Sequence, residues 1–254
     1  MQHITVTENI SLAYRLGQSQ GASAPNNEML YGFSPGHEVR GQNLRVNLKF
    51  LKPSTANVLE LKDQVKKNLK SWDHSHVNDL EPFKNQAVVT LERICQEMWK
   101  GLNNDDLISV ELEQGNWKVE ANRSLKPEEL LLKYRSRFQS LLKNDTQFIP
   151  LDLELHLGWQ GQVDPELGIF WPWHFLKKQI LAAQKNLEVA DKKLFELTDK
   201  DQFLKKVAGL ISGTPFAEVP SSSFINTRVA LKCVDFFDVK DNWKLRFSLP
   251  EDLS

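Results

Sequence analysis

Residues 71–83 read Ser-Trp-Asp-His-Ser-His-Val-Asn-Asp-Leu-Glu-Pro-Phe, directly after an amphipathic helical pattern. Three chemistries suit such a stretch. In the first, the Asp73 carboxylate orients the His74 imidazole and stabilises its protonated form, as an acid–base pair requires. In the second, His74 and His76 lie two apart and could present ring nitrogens to a metal. In the third, the stretch only closes a helix: an imidazolium suits the negative end of the dipole, and Asp and Asn suit turns. On these residues alone the third reading is preferred, with His76 a solvated neighbour.

The surrounding elements must position whatever this stretch does. Met1–Leu16 alternates as a strand, with Ile4, Val6, Ile10 and Leu12 near period two. A loop rich in Gly, Ser, Pro and Asn follows. Leu44, Val46, Leu48 and Phe50 then alternate with Arg45, Asn47 and Lys49, predicting a half-buried strand. From Ala56 the period becomes helical through Val58, Leu61, Val65, Leu69 and Trp72. A second helix is expected from about Val88, with Leu91, Ile94, Met98 and Leu102 on one face. Residues 107–122 read as two strands around a Gly-Asn turn, a hairpin signal.

Residues 123–145 form a charged connector, expected to be partly helical. Then the order begins again: a strand over 148–159, a turn into a helix after Gln162, a later helix over 201–211, and a terminal hairpin over 228–249. Asn116-Trp117-Lys118 and Asn242-Trp243-Lys244 fall after the turn of each hairpin. Together with the repeated element order, that match argues for an internal repeat, with units over 1–123 and 124–254.

Bulk properties exclude several classes. A net charge of -1 over 254 residues leaves no electrostatic footprint for nucleic acid or an anionic membrane. No apolar run is long enough to span a bilayer, and the N-terminus has no signal-peptide core, so a cytoplasmic protein is expected. Cys95 and Cys233 lie in apolar patterns without CxxC spacing and read as buried thiols. The tryptophans Trp117, Trp159, Trp171, Trp173 and Trp243 read as core or interface, and His156 and His174 as structural.

Arg-Gly-Gln-Asn-Leu-Arg-Val at 40–46, Trp-Asp-His-Ser-His-Val-Asn-Asp at 72–79 and Val-Glu-Leu-Glu-Gln at 110–114 occur in that order. In order and spacing they resemble the 6-pyruvoyl- and 6-carboxytetrahydropterin synthase family, whose members carry the tunnelling fold, or T-fold. Residues 151–178 resemble the same family's strand, turn and helix. The resemblance implies an α+β chain of two tandem T-fold modules, each a four-stranded antiparallel sheet with two helices on one face. It further implies association along sheet edges into a barrel, as a homo-oligomer, which removes exposed edges.

The family holds a zinc ion with three histidines, one on the first strand and an HxH pair on the next. Here those positions carry Tyr14, Arg40 and Gln42, none a usual zinc ligand, and a guanidinium would repel the cation. The family's nucleophilic cysteine falls at or near Gly36, with His37 close by. The expectation is therefore that the zinc is lost and no cofactor is bound. Asp73 and His74 match the family's proton-transfer pair, and Glu113 its heterocycle-binding glutamate, since a carboxylate can accept two parallel N–H bonds from a 2-amino-4-oxo ring edge. Lys192 stands where a second His74 would be, and Asp238 is a weaker second ring anchor.

Three functions follow from the resemblance. The first is a degenerate pterin-synthase-like protein binding a pterin- or purine-like heterocycle. The second is an active carbon–oxygen lyase of tetrahydropterin or queuosine-type biosynthesis. The third is a non-catalytic structural or assembly protein. Enzymatic activity is left open between them.

Overall fold

The computed structural model describes residues 3–14, 40–51, 57–84, 89–102, 105–144, 147–165, 168–169, 230–238 and 244–248, with residues 40, 136–155 and 230–248 described by backbone alone. The chain is α+β. Strands β1 (His3–Tyr14) and β2 (Arg40–Leu51) precede helix α1 (Val58–Leu69), the two-residue strand β3 (Ser75–His76) and helix α2 (Leu91–Leu102). Six strands follow: β4 (Leu107–Gln114), β5 (Trp117–Asn122), β6 (Glu129–Asn144), β7 (Gln147–Gln162), β8 (Ala230–Asp238) and β9 (Lys244–Ser248).

The nine strands of the described residues belong to one sheet, in the order β3-β1-β2-β4-β5-β6-β7-β8-β9. Neighbours are antiparallel except β3, which pairs parallel with β1 through Leu12↔Ser75 and Ala13↔His76. Strand alternation decides which side is dry. Val6, Ile10, Leu12, Leu44, Val46, Leu48, Val110, Leu112, Val119 and Leu132 share a core with Val65 and Leu69 of α1 and Ile94, Cys95 and Met98 of α2. Both helices therefore cover the same face. The opposite face, which no helix of the described residues covers and which is called helix-free in that sense, carries the polar half of the alternation.

The first half follows its sequence pattern. Asn57 caps α1, its side chain accepting from the Leu59 N–H. Val65 and Leu69 are buried, whereas Val58 and Leu59 at the helix start are 50% and 71% exposed. Gly115 (φ 58) sits in the β4–β5 turn, where a left-handed residue is needed. Cys95 is a free, buried thiol whose Sγ faces the Val110 and Val119 carbonyls, and burial pushes its pKa up. That environment makes it inert packing rather than a nucleophile.

The expected helical connector is a strand. Glu129–Asn144 forms β6, paired with β5 on one side and along all sixteen residues with β7 on the other. Its Glu, Leu and Lys content favours helix, but Leu130, Leu132 and Tyr134 alternate into the core while Lys133 and Arg135 face away. Burial against two neighbouring strands outweighs that local propensity. The sheet is also mixed and continuous, because β3 adds a parallel edge and β6 joins β5. The terminal hairpin appears as β8 and β9. The helices expected after Gln162 and over 201–211 lie outside the described residues, as do His37, Trp171, Trp173, His174, Lys192 and Trp243.

Candidate functional site

The stretch after α1 is held by apolar anchors. Val77 and Phe83 are buried, and the Trp72 ring meets Phe83 edge-on at 6.0 Å. The last turn closes with the Trp72 and Asp73 N–H groups donating to the Leu69 carbonyl, both at 3.0 Å. His74 then takes a left-handed conformation, φ 56, the one non-glycine residue to do so among the described residues. That geometry costs a residue with a Cβ about 1–2 kcal/mol. It reverses the chain so that β3 can run along β1.

Two contacts dock this reversal on β1. The Ser11 N–H donates to Asp73 Oδ1 at 2.8 Å, and the His74 N–H donates to the Ser11 carbonyl at 2.5 Å. The same Asp73 oxygen lies 3.0 Å from His74 Nδ1, while the His74 side chain remains 80% exposed. The Ser11 hydrogen bond, opposed by burial and helped by His74, holds the Asp73 carboxyl below the usual carboxylate range. A fixed carboxylate behind an accessible imidazole can orient the ring and present its other nitrogen to a bound molecule. His76 behaves differently: its Nδ1 is buried, 3.7 Å from Asp79 and without a hydrogen bond.

The three other candidate positions converge at the neighbouring rungs. Tyr14 pairs with Arg40, and Leu12 with Gln42, while Leu12 also pairs with Ser75 beside His74. Tyr14 is 3% exposed, and Gln42 Oε1 is buried without a hydrogen-bond partner. Among the described residues no three His, Cys, Asp or Glu side chains gather as a metal would require. No helix of the described residues is long and apolar enough to cross a membrane.

Glu113 is not brought to this place. It pairs with Arg45, which pairs with Asn9, so it lies two strands in from β1 on the helix-free face. At about 4.8 Å per strand, that puts it roughly 14 Å across the sheet from β3. Its carboxylate is also engaged, with Lys118 Nζ 3.1 Å from Oε2. Asp238 is described by backbone alone, on β8 opposite Leu153.

Residue-by-residue reading missed a polar ladder on that face. Thr7 donates to Asn47 (2.8 Å), and Asn47 and Lys118 both donate to Glu111 Oε1 (3.0 Å each). Lys133 reaches Glu111 Oε2 at 3.2 Å and also bonds Glu120. Burial works against the Glu111 charge, but Lys133 and Lys118 outweigh it, and its pKa is lowered. Burial likewise opposes the Lys133 charge, and Glu120 and Glu111 more than offset it, so its pKa is raised. The alternation of Glu111, Glu113, Lys118 and Glu120 is visible in the sequence; that Lys133 joins them depends on β6 being a strand.

No protein-family model matches the chain, and no curated protein matches it. Among solved structures, a 6-pyruvoyl tetrahydropterin synthase from Caenorhabditis elegans is similar over 48% of this chain and 94% of its own, at 22% identity and a TM-score of 0.41. No chemistry passes from that protein to this one at such a level of likeness.

Proposed function

We propose that this chain is a tandem T-fold protein of the pterin-synthase kind, without the three-histidine zinc site, that binds a pterin- or purine-like heterocycle beside Asp73 and His74. The observation that carries the reading is the His74 ring: exposed, held on left-handed backbone, and oriented by a carboxylate that is itself anchored to β1. The left-handed backbone also serves the chain reversal, but an exposed ring oriented by an anchored carboxylate does not follow from a turn alone, and strained residues gather at functional sites. Support for the tandem arrangement comes from the strand order, in which β1-β2 and β4-β5 flank the two helices and β6-β7 and β8-β9 repeat the sequence of hairpins.

A zinc ion has no fitting donor set at the family positions. A buried phenol, a guanidinium and an amide stand where three imidazoles would be needed, so no step is assigned to a metal. In this reading Asp73 and His74 hold and exchange a proton with the ligand. Glu113 serves as a ring anchor only if it exchanges Lys118 for the ligand. Pairing of copies along sheet edges belongs to the same reading.

Calorimetric titration of the full chain with pterin, guanine and urate tests it. Binding of at least one, weakened about tenfold or more in His74→Ala, is expected; that factor corresponds to the loss of about 1.4 kcal/mol. No binding of any of the three overturns the proposal, as does one tightly held zinc per chain that mutation of Tyr14 or Arg40 removes. Turnover of dihydroneopterin triphosphate, lost in His74→Ala, replaces it with the lyase reading. The engagement of Glu113 by Lys118, away from His74, favours a second reading: a structural protein whose assembly persists without any heterocycle binding.

A further inference from the structure

We infer that the hairpin β6–β7, although it follows the candidate boundary at 123/124, completes the core of the first half, so that no folding boundary exists there. Backbone pairing across the junction is short: Trp117–Glu120 of β5 meets Leu131–Tyr134 of β6, and the Arg135 N–H donates to the Asn116 carbonyl at 2.9 Å. Side chains on both faces extend it. On the helix side Val119, Leu132 and Trp159 form one transverse row across three strands, each at most 1% exposed. Leu130, Leu157 and Val163 belong to the same core as Ile94, Cys95 and Met98 of α2. The Trp117 and Tyr134 rings pack at 4.7 Å between centroids.

On the helix-free face Lys133 passes over β5 to reach Glu111 of β4. The start of α2 is closed by residues that flank the hairpin, just after β7 and just before β6. Thr90 accepts from the Arg93 N–H at 3.2 Å and donates to the Gly168 carbonyl, and Arg93 also bonds the Pro165 carbonyl. Gly168 has φ 71, and a Cβ there would lie 2.5 Å from Arg93 Nε, so the approach is close. Gln96 donates to the Glu128 carbonyl at 3.3 Å. Removing β6–β7 would bare the β5 edge and take Leu130, Leu132, Leu157 and Trp159 out of the core they share with Val119, Ile94, Cys95 and Met98, a loss of apolar burial that destabilises what remains.

The test inserts a protease-recognition sequence between Lys126 and Pro127 of the full chain, in an exposed turn. After cleavage the two fragments are expected to co-elute in size exclusion, or the first to aggregate once denaturant separates them. A first fragment that elutes alone with native helical circular dichroism overturns the inference. Native-state hydrogen exchange on the uncut chain gives an independent reading. The amides of Ile94–Met98 and Leu130–Leu132 are expected to exchange through one shared opening as denaturant rises. An opening that releases β6–β7 while α2 stays protected overturns it equally.

Discussion

At the β1 edge, Asp73 Oδ1 accepts the Ser11 N–H and stands behind a His74 ring that lies largely in water. In the middle of the helix-free face, Glu111 has both oxygens engaged, by Asn47, Lys118 and Lys133, and is only 17% exposed. Both places combine carboxylates with nitrogen-bearing side chains. They differ in what remains unused. The edge cluster keeps an accessible donor–acceptor ring on strained backbone, whereas the ladder satisfies its own members across β1, β2, β4, β5 and β6. Charge density therefore does not by itself identify a binding site; the discriminating features are exposure and unspent hydrogen-bonding capacity.

The comparison predicts opposite trades between stability and binding. The largest effect belongs to the ladder: Glu111→Ala removes three contacts to one half-buried carboxylate and should cost about 2 kcal/mol in urea unfolding, leaving heterocycle affinity unchanged. A loss of affinity without a loss of stability would reverse the assignment of the two regions.

Acid should come next. The lowered pKa of Glu111 means that its contribution is present above the ordinary value of 4.5 and disappears as pH falls through its folded value. Asp73 behaves the same way below 3.8, with a smaller effect because it is 38% exposed and screened by solvent. Lys133, raised above 10.5, contributes fully below that value and loses its contribution as pH rises through the folded value. Thermal melts in Glu111→Gln should therefore flatten the decline of stability below pH 4.5 relative to the parent. An unchanged acid limb would show that other carboxylates set it.

Third, His74→Gly should be neutral to stabilising, by up to about 1 kcal/mol, since glycine accepts left-handed backbone. The same substitution should abolish heterocycle binding. A destabilised variant would mean that the imidazole is structural. The smallest change is expected for Asp73→Asn, whose amide oxygen can still accept the Ser11 N–H: less than about 1 kcal/mol in stability. Binding should weaken because the charge behind His74 is gone, and a titration across pH separates that effect from folding.

Much of the first half is legible without coordinates. The period-two runs of β1, β2, β4 and β5 and the helical faces of α1 and α2 each record burial on one side. The Gly115 turn follows from the need for positive φ. β6 was not legible, because Leu130-Leu131-Leu132 hides its alternation within an apolar run and the flanking Glu and Lys residues suit helices as well. The ladder was hidden with it, since Lys133 faces Glu111 and Glu120 only once β6 lies beside β5.

The sequence by itself determined the local conformations, the apolar faces and the presence of a carboxylate next to an imidazole at the end of a helix, because those depend on neighbours a few residues apart. Tertiary structure alone decided that Ser11, sixty-two residues away from Asp73, anchors the pair. It also decided that Glu113 belongs to a lysine rather than to His74, and that β6–β7 completes the first half's core. These outcomes depend on strand order and register, which bring distant residues together by burial of whole elements and leave no short-range pattern in the chain.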